Sequence, residues 1–229
     1  MNRRIWILLV FCLCLHQSPS APDTQSSSGD SPIALPQPTS KGDMSVETAI
    51  QMRRSVRDFS DRSLTMDHVS QLMWAGQGIT GGFKRAAPSA GATYPLTLYL
   101  VVGQGGVQSL SSGIYEYRPD SHSLLFLKKG DVLNTLASAC LNQTFIAHAP
   151  IVLVIAADYQ RTTRRYGERG IRYVHMETGH VGENIYLQAV ALGLGTVAVG
   201  AFQDNVLHDV LELPEEMTAL YVMPVGFPQ

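Results

Sequence analysis

Cysteine is scarce in this 229-residue chain, and its three copies are badly placed for cross-linking. Cys12 and Cys14 sit in an apolar N-terminal stretch and Cys140 stands alone. Without that stretch no intramolecular disulfide can form, so the fold must rest on a packed core. Charge is also lacking: the formal net value is −2, without the basic excess that general nucleic-acid binding needs. The N-terminal apolar run, residues 5–15, falls well short of the roughly 20 residues of a membrane-spanning helix. No Ser-His-Asp or Cys-His arrangement offers a covalent nucleophile, and no internal repeat is present. His175 and His180 lie five positions apart, not the four that share a metal-binding helix face, although Glu177 and Glu183 are close in sequence. Gly193-Leu194-Gly195 follows a helix pattern rather than a strand, so it fails the context of a dinucleotide loop.

What the chain does contain is 45% hydrophobic residues, enough for the core of one domain. Arg3 and Arg4 before the apolar run, with Ser18 and Ser20 after it, form the pattern of a secretory signal peptide over residues 1–20. The expected location is therefore periplasmic or secreted, with an uncleaved membrane anchor as the alternative. Residues 21–44, rich in Ser, Pro, Gln and Asp, read as a disordered linker, and residues 45–229 as the folded domain.

Within that domain Ser45 is placed to cap a helix over 46–54, with Ala49, Ile50 and Met52 facing inward. Thr65 caps a second helix carrying Val69, Leu72 and Met73 at helical spacing. Residues 96–102 are β-rich, residues 114–117 and 123–127 flank a turn, and the apolar run 151–157 reads as a central strand. Asp131 caps a helix reaching about Leu141, and residues 173–192 form the longest helix. Short strands at 196–199 and 220–225 enclose a helix over 205–211. Helices and strands are mixed rather than alternating. The expectation is an α+β, three-layer fold with a mainly antiparallel central sheet flanked by helices.

Two segments carry chemistry. Arg53-Arg54-Ser55-Val56-Arg57 concentrates three guanidinium groups and a hydroxyl at a helix end. Arginine forks suit phosphate and polar ring edges, so the cluster points to an anionic cofactor; by composition alone it also reads as a solvated helix end. The second segment is the Gly- and Ser-rich turn Pro88-Ser89-Ala90-Gly91-Ala92-Thr93-Tyr94-Pro95. The run 161–172, with Arg164, Arg165, Arg169 and Arg172, reads as a solvated loop over the site or as a dock for a phosphorylated electron donor such as NAD(P)H.

Those two segments, with Gly113-Ile114-Tyr115-Glu116-Tyr117, the run Gly193 to Phe202 and Met223-Pro224-Val225-Gly226, resemble the FMN-dependent nitroreductase superfamily. Within it the likeness is to the SagB-type, or thiazole/oxazole dehydrogenase, branch. The resemblance implies an oxidoreductase that passes two electrons as a hydride through bound FMN. It implies a homodimer with FMN at the subunit interface, acting on a small-molecule or peptide-ring substrate. Carried over, Arg53, Arg54, Ser55 and Arg57 are the flavin clamp, with Arg53 and Ser55 on phosphate and ribityl oxygens. Arg57 is the catalytic candidate, beside the N1–O2 edge of the flavin. Pro88, Ser89, Ala90 and Gly91 come from the partner subunit, and Gly200 and Ala201 line the ring. Two features depart from the pattern. Ala92 stands where an Asn is common, and no Lys or Arg follows Gly226 to touch the phosphate. The second departure favours the alternative of a non-catalytic, dimeric flavin-binding module.

Overall fold

The computed structural model describes residues 31–229, so the expected signal peptide and the first part of the expected linker lie outside the described residues. Among the described residues no helix is long and apolar enough to cross a membrane. Two long strands organise the molecule: β4 (Leu96–Val102) pairs antiparallel with β7 (Ile151–Asp158), Leu100 facing Leu153. Both are near-continuous apolar runs because both faces of the sheet are covered. On one face Leu98, Leu100, Leu153 and Ile155 pack with Leu72 and Met73 of α2 (Met66–Gln77) and Val181 and Ile185 of α5 (Arg169–Ala191). On the other face Tyr99, Val101, Val152 and Val154 meet Leu136 of α3 (Leu133–Ala139) and Leu207 and Leu211 of α6 (Asp204–Leu211). This is the three-layer α+β architecture expected from the sequence, its central sheet antiparallel throughout its named strands.

The hairpin of β5 (Gly113–Arg118) and β6 (Ser123–Lys129) extends the sheet beyond β4. On the other side of β7 lie β9 (Met217–Gly226) and the short β8 (Gly195–Thr196). A separate small hairpin joins β2 (Ile79–Gly81) to β3 (Lys84–Arg85).

Four expectations need correction. The expected linker reaches too far: Ile33–Ala34 forms an edge strand, β1, on β6, and Leu35 is buried. Helix α1 (Val46–Met52) begins at the Ser45 cap but stops before Arg53, because the chain becomes extended to reach β8. Ile50 and Met52, expected inward, are 57% and 49% exposed; only Ala49 is buried. The arginine-rich run is no loop. It forms α4 (Gln160–Tyr166) and, after a turn at Gly167, the start of α5. Thr65 caps α2 as read, whereas α3 has Val132 at its cap position and Asp131 one residue before it. The Thr65 hydroxyl accepts the His68 N–H at 3.4 Å, and Asp131 Oδ1 accepts the Leu133 N–H at 2.9 Å.

Candidate functional site

The clamp begins where α1 ends. Arg53 leaves the helix with extended ψ, and Ser55 then pairs with Thr196 in a parallel bridge. The Val56 N–H donates to the Thr196 carbonyl at 2.9 Å. That approach is possible because residue 195 is glycine: a Cβ there would lie 2.7 Å from Val56 Cβ. The segment after α1 is thereby fixed to the sheet, with Arg54 and Arg57 exposed and Arg53 partly so.

Tyr186 of α5 holds the arrangement together. Its hydroxyl accepts the Ala198 N–H at 2.8 Å and lies 3.2 Å from Ser55 Oγ. The Arg53 guanidinium sits 5.2 Å from the Tyr186 ring centroid, within cation–π reach. Arg53 Nε is 4.0 Å from Glu183, a half-exposed pair at the edge of contact distance that contributes little. Arg54, Tyr186 and Thr196 line a cleft of ≈ 330 Å³. Tyr186→Phe is expected to leave the part-buried Ala198 N–H unpaired and to lower unfolding free energy by about 1–3 kcal/mol. Urea denaturation of the two proteins checks it; an unchanged midpoint would remove Tyr186 from this role.

Beyond Thr196 the chain is pinned once more, by reciprocal 2.9 Å bonds between Val199 and Val222, and then turns outward. Gly200 and Ala201 are exposed. The Ala201 carbonyl accepts Gln143 Nε2 at 3.0 Å, and Phe145, on the same loop as Gln143, lies 5.8 Å from the Arg57 guanidinium. Arg53, Ser55, Arg57, Gly200 and Ala201 are thus tied to one edge of the domain through Tyr186, Gln143 and Phe145. Nothing local in the sequence marks these three residues. Their partners lie far along the chain, as with Ser55 and Tyr186, 131 positions apart.

The turn at 88–94 is elsewhere. Ala90–Ala92 form a single 3-10 turn in which Gly91 has φ +59°. Arg165 donates to the Gly91 carbonyl at 3.1 Å, Arg161 to the Tyr94 carbonyl at 3.2 Å, and the Thr93 and Thr162 hydroxyls lie 2.8 Å apart. The Ser89 hydroxyl, expected at the cofactor, is turned inward. It accepts the Tyr94 N–H at 2.9 Å and hydrogen-bonds Glu177 of α5. The outward part of the turn is the backbone around Gly91, with Pro88 exposed and Ala90 partly so. Glu177 and Tyr186 share α5 but stand about 13 Å apart along its axis, at 1.5 Å per residue. Within one chain, therefore, the structure does not bring the turn and the clamp together.

Glu177 was legible only as part of an unconvincing metal cluster. It is 3% exposed, and burial pushes its carboxyl up to about 7, with Ser89 and Arg85 pulling the other way. His175 spends Nε2 on the Tyr159 hydroxyl at 2.7 Å. Cys140, read as a small apolar residue, is fully buried, and burial raises its thiol to about 12.

Comparison with known proteins places the chain in a family. The Nitroreductase family model matches residues 50–227. A nitroreductase-family protein of Methanocaldococcus jannaschii is 49% identical over 186 residues, covering 80% of this chain and 91% of its own. The microcin B17-processing protein McbC of Escherichia coli is 25% identical over 142 residues, 61% of this chain and 52% of McbC. Among solved structures, a Ralstonia eutropha protein described as a nitroreductase superposes with TM-score 0.74 at 25% identity, covering 86% of this chain and 89% of its own. With the segment 53–57, strands β2 to β9 and helices α2 to α6 inside the matched span, this chain belongs to the nitroreductase family.

Proposed function

We propose that this protein is an FMN-dependent oxidoreductase that works as a homodimer. The observation that carries the reading is the Tyr186 hub. It sets the guanidinium-rich segment 53–57 and the exposed backbone of Gly200–Ala201 on one edge. The donors fit the cofactor: cations and a hydroxyl for phosphate and ribityl oxygens, and a backbone without bulky side chains for a flat ring. When bound, FMN supplies two-electron hydride chemistry at N5. The chain's own part is to hold and tune it. Arg53 and Ser55 anchor the phosphate end, and Arg54 closes the adjoining cleft. Arg57 places a positive charge near N1–O2, which favours the reduced form.

Two observations support the homodimer. The turn and clamp, read as parts of one site, stand apart within a chain. And α1, directly before the clamp, leaves Val46, Ile50 and Met52 on the surface, as α5 leaves Ile171 and Met176. A second copy covering those side chains brings its turn toward the clamp.

The finer reading is oxidation of a small-molecule or peptide ring, as in the SagB-type branch, with NAD(P)H as the donor when the enzyme runs as a reductase. The similarity to McbC, named for microcin processing, supports the peptide option. The signal-peptide pattern supports action outside the cytoplasm.

The protein purified from a flavin-replete host is expected to be yellow and to bleach with its donor or substrate. Colour without bleaching by NADH or NADPH would point to a dehydrogenase fed by its substrate, or to a binding module. Arg57→Ala is expected to lower the flavin midpoint potential by tens of millivolts, about 30 mV for each 1.4 kcal/mol of lost two-electron stabilisation. FMN affinity should fall less in proportion. An unchanged potential in spectroelectrochemical titration would take Arg57 out of this role.

A further inference from the structure

We propose a second ligand site, separate from the flavin clamp: a cavity of ≈ 200 Å³ that takes a small oxyanion on Arg85 and Gln77. The cavity lies between the C-terminal end of α2, β3, the turn of the β5–β6 hairpin and the start of α4. Gln77, the last residue of α2, is 1% exposed. Its Oε1 accepts Arg85 Nη1 at 2.8 Å. Its Nε2, also buried, has no hydrogen-bond partner among the described residues. Buried amide donors are nearly always satisfied, so this one marks a missing acceptor.

Arg85 has a matching deficit. Its guanidinium is partly buried, with one face covered by the Tyr94 ring at 4.6 Å. Among the described residues no carboxylate lies within ion-pair distance of it. The other charges around the cavity are already spent. Arg118 is paired with Glu116 at 3.2 Å, and Arg161 with Asp158 at 3.5 Å and the Tyr94 carbonyl. Asp120, exposed on the hairpin turn, also lines the cavity, and its charge, like that of Glu177, acts on Arg85 from beyond ion-pair distance. The lining holds three arginines, Arg85, Arg118 and Arg161, against two carboxylates, Glu116 and Asp120, so its balance is positive, and its unpartnered polar atom is a donor.

Those two facts select the ligand. A cation would meet the Arg85 charge, and an apolar group would leave the Gln77 N–H unsatisfied. Only an acceptor that carries negative charge answers both, and an arginine fork binds phosphate or carboxylate oxygens in pairs. The volume is that of roughly seven waters, which suits phosphate, sulfate or a carboxylate. Bound there, the anion holds Arg85 beneath Tyr94 and stiffens the 88–94 turn from behind.

Isothermal titration of the full-length protein with inorganic phosphate, sulfate and acetate, at constant ionic strength in chloride, tests the site. The expected result is saturable binding of one ion per chain, the preferred ion distinguishing a phosphate-type ligand from a carboxylate. Gln77→Glu gives Arg85 an internal carboxylate and removes the donor. It should fold normally and bind at least about tenfold more weakly, whereas Arg62→Ala, at an exposed arginine against Phe227 and outside this cavity, should bind as the parent does. Arg85→Gln, the second variant, should also lose binding. No saturable heat in the parent, undiminished binding in Gln77→Glu and Arg85→Gln, or loss in Arg62→Ala would each overturn the proposal.

Discussion

Glu177→Gln is expected to stabilise the protein at pH 8 by on the order of 3 kcal/mol while changing little at pH 4, a difference that pH-resolved urea denaturation measures. The sign follows from where the carboxyl holds its proton. In the unfolded chain it titrates at the ordinary 4.5, and in the folded protein burial lifts it to about 7. Below pH 4.5 both states are protonated and burial of the neutral acid carries no ionic penalty. As the pH rises above 4.5 the unfolded chain ionises first, so the folded state loses stability relative to it. The loss is complete once pH passes the folded value and is constant thereafter. Ser89 and Arg85 lessen the penalty without removing it, and Oε1 has no hydrogen-bond partner among the described residues. An amide of the same shape has no charge to lose.

The comparison must be between variant and parent, because other groups slope the opposite way. His68 and His122 are both depressed below 6.5, chiefly by burial. Each therefore destabilises the folded state at low pH, and that penalty fades as pH rises toward 6.5. In the parent these trends partly cancel the effect of Glu177; in the difference they drop out. A difference curve that is flat from pH 4 to 8 would show that the carboxyl is not held neutral.

Much of the scaffold was legible because its signals are local. The Thr65 cap, the β-rich residues 96–102 and the unbroken run 151–157 each state a conformation within a few residues. The segment 53–57 stood out for a different reason: its order of residues resembles a family pattern. What escaped were relations between distant segments. Periodicity identified an apolar stripe containing Ile50 and Met52 but could not say what covers it, and within one chain nothing does. The arginines of 161–172 looked like a solvated loop. Yet Arg161 and Arg165 are tethers that seat the 88–94 turn on α4. Ser89 was read as part of a turn and, by resemblance, as a residue that meets the cofactor. Its hydroxyl is committed to Tyr94 and Glu177, and sequence spacing has no term for that choice.

Two chains, each defective in a different half of the site, are expected to repair one another. Arg53→Ala removes a guanidinium from the clamp. Loss of one charge-assisted contact of about 1.5–3 kcal/mol weakens FMN roughly ten- to hundredfold. Gly91→Val damages the turn. Its φ of +59° disfavours a branched residue, and a Cβ there would stand 2.5 Å from the Tyr166 hydroxyl and 2.9 Å from Arg165 Nη1. At an FMN concentration that saturates the parent, either variant alone should stay largely empty. When both are co-expressed and dimers form at random, about half are mixed, and in each mixed dimer one site joins an intact clamp to an intact turn. Flavin should then return to about a quarter of all sites, with parent-like affinity. If clamp and turn served the same chain's site, every site would retain one defect and mixing would restore nothing. In the proposed homodimer the exposed Val46, Ile50 and Met52, next to the segment 53–57, are apolar surface for the second copy to cover.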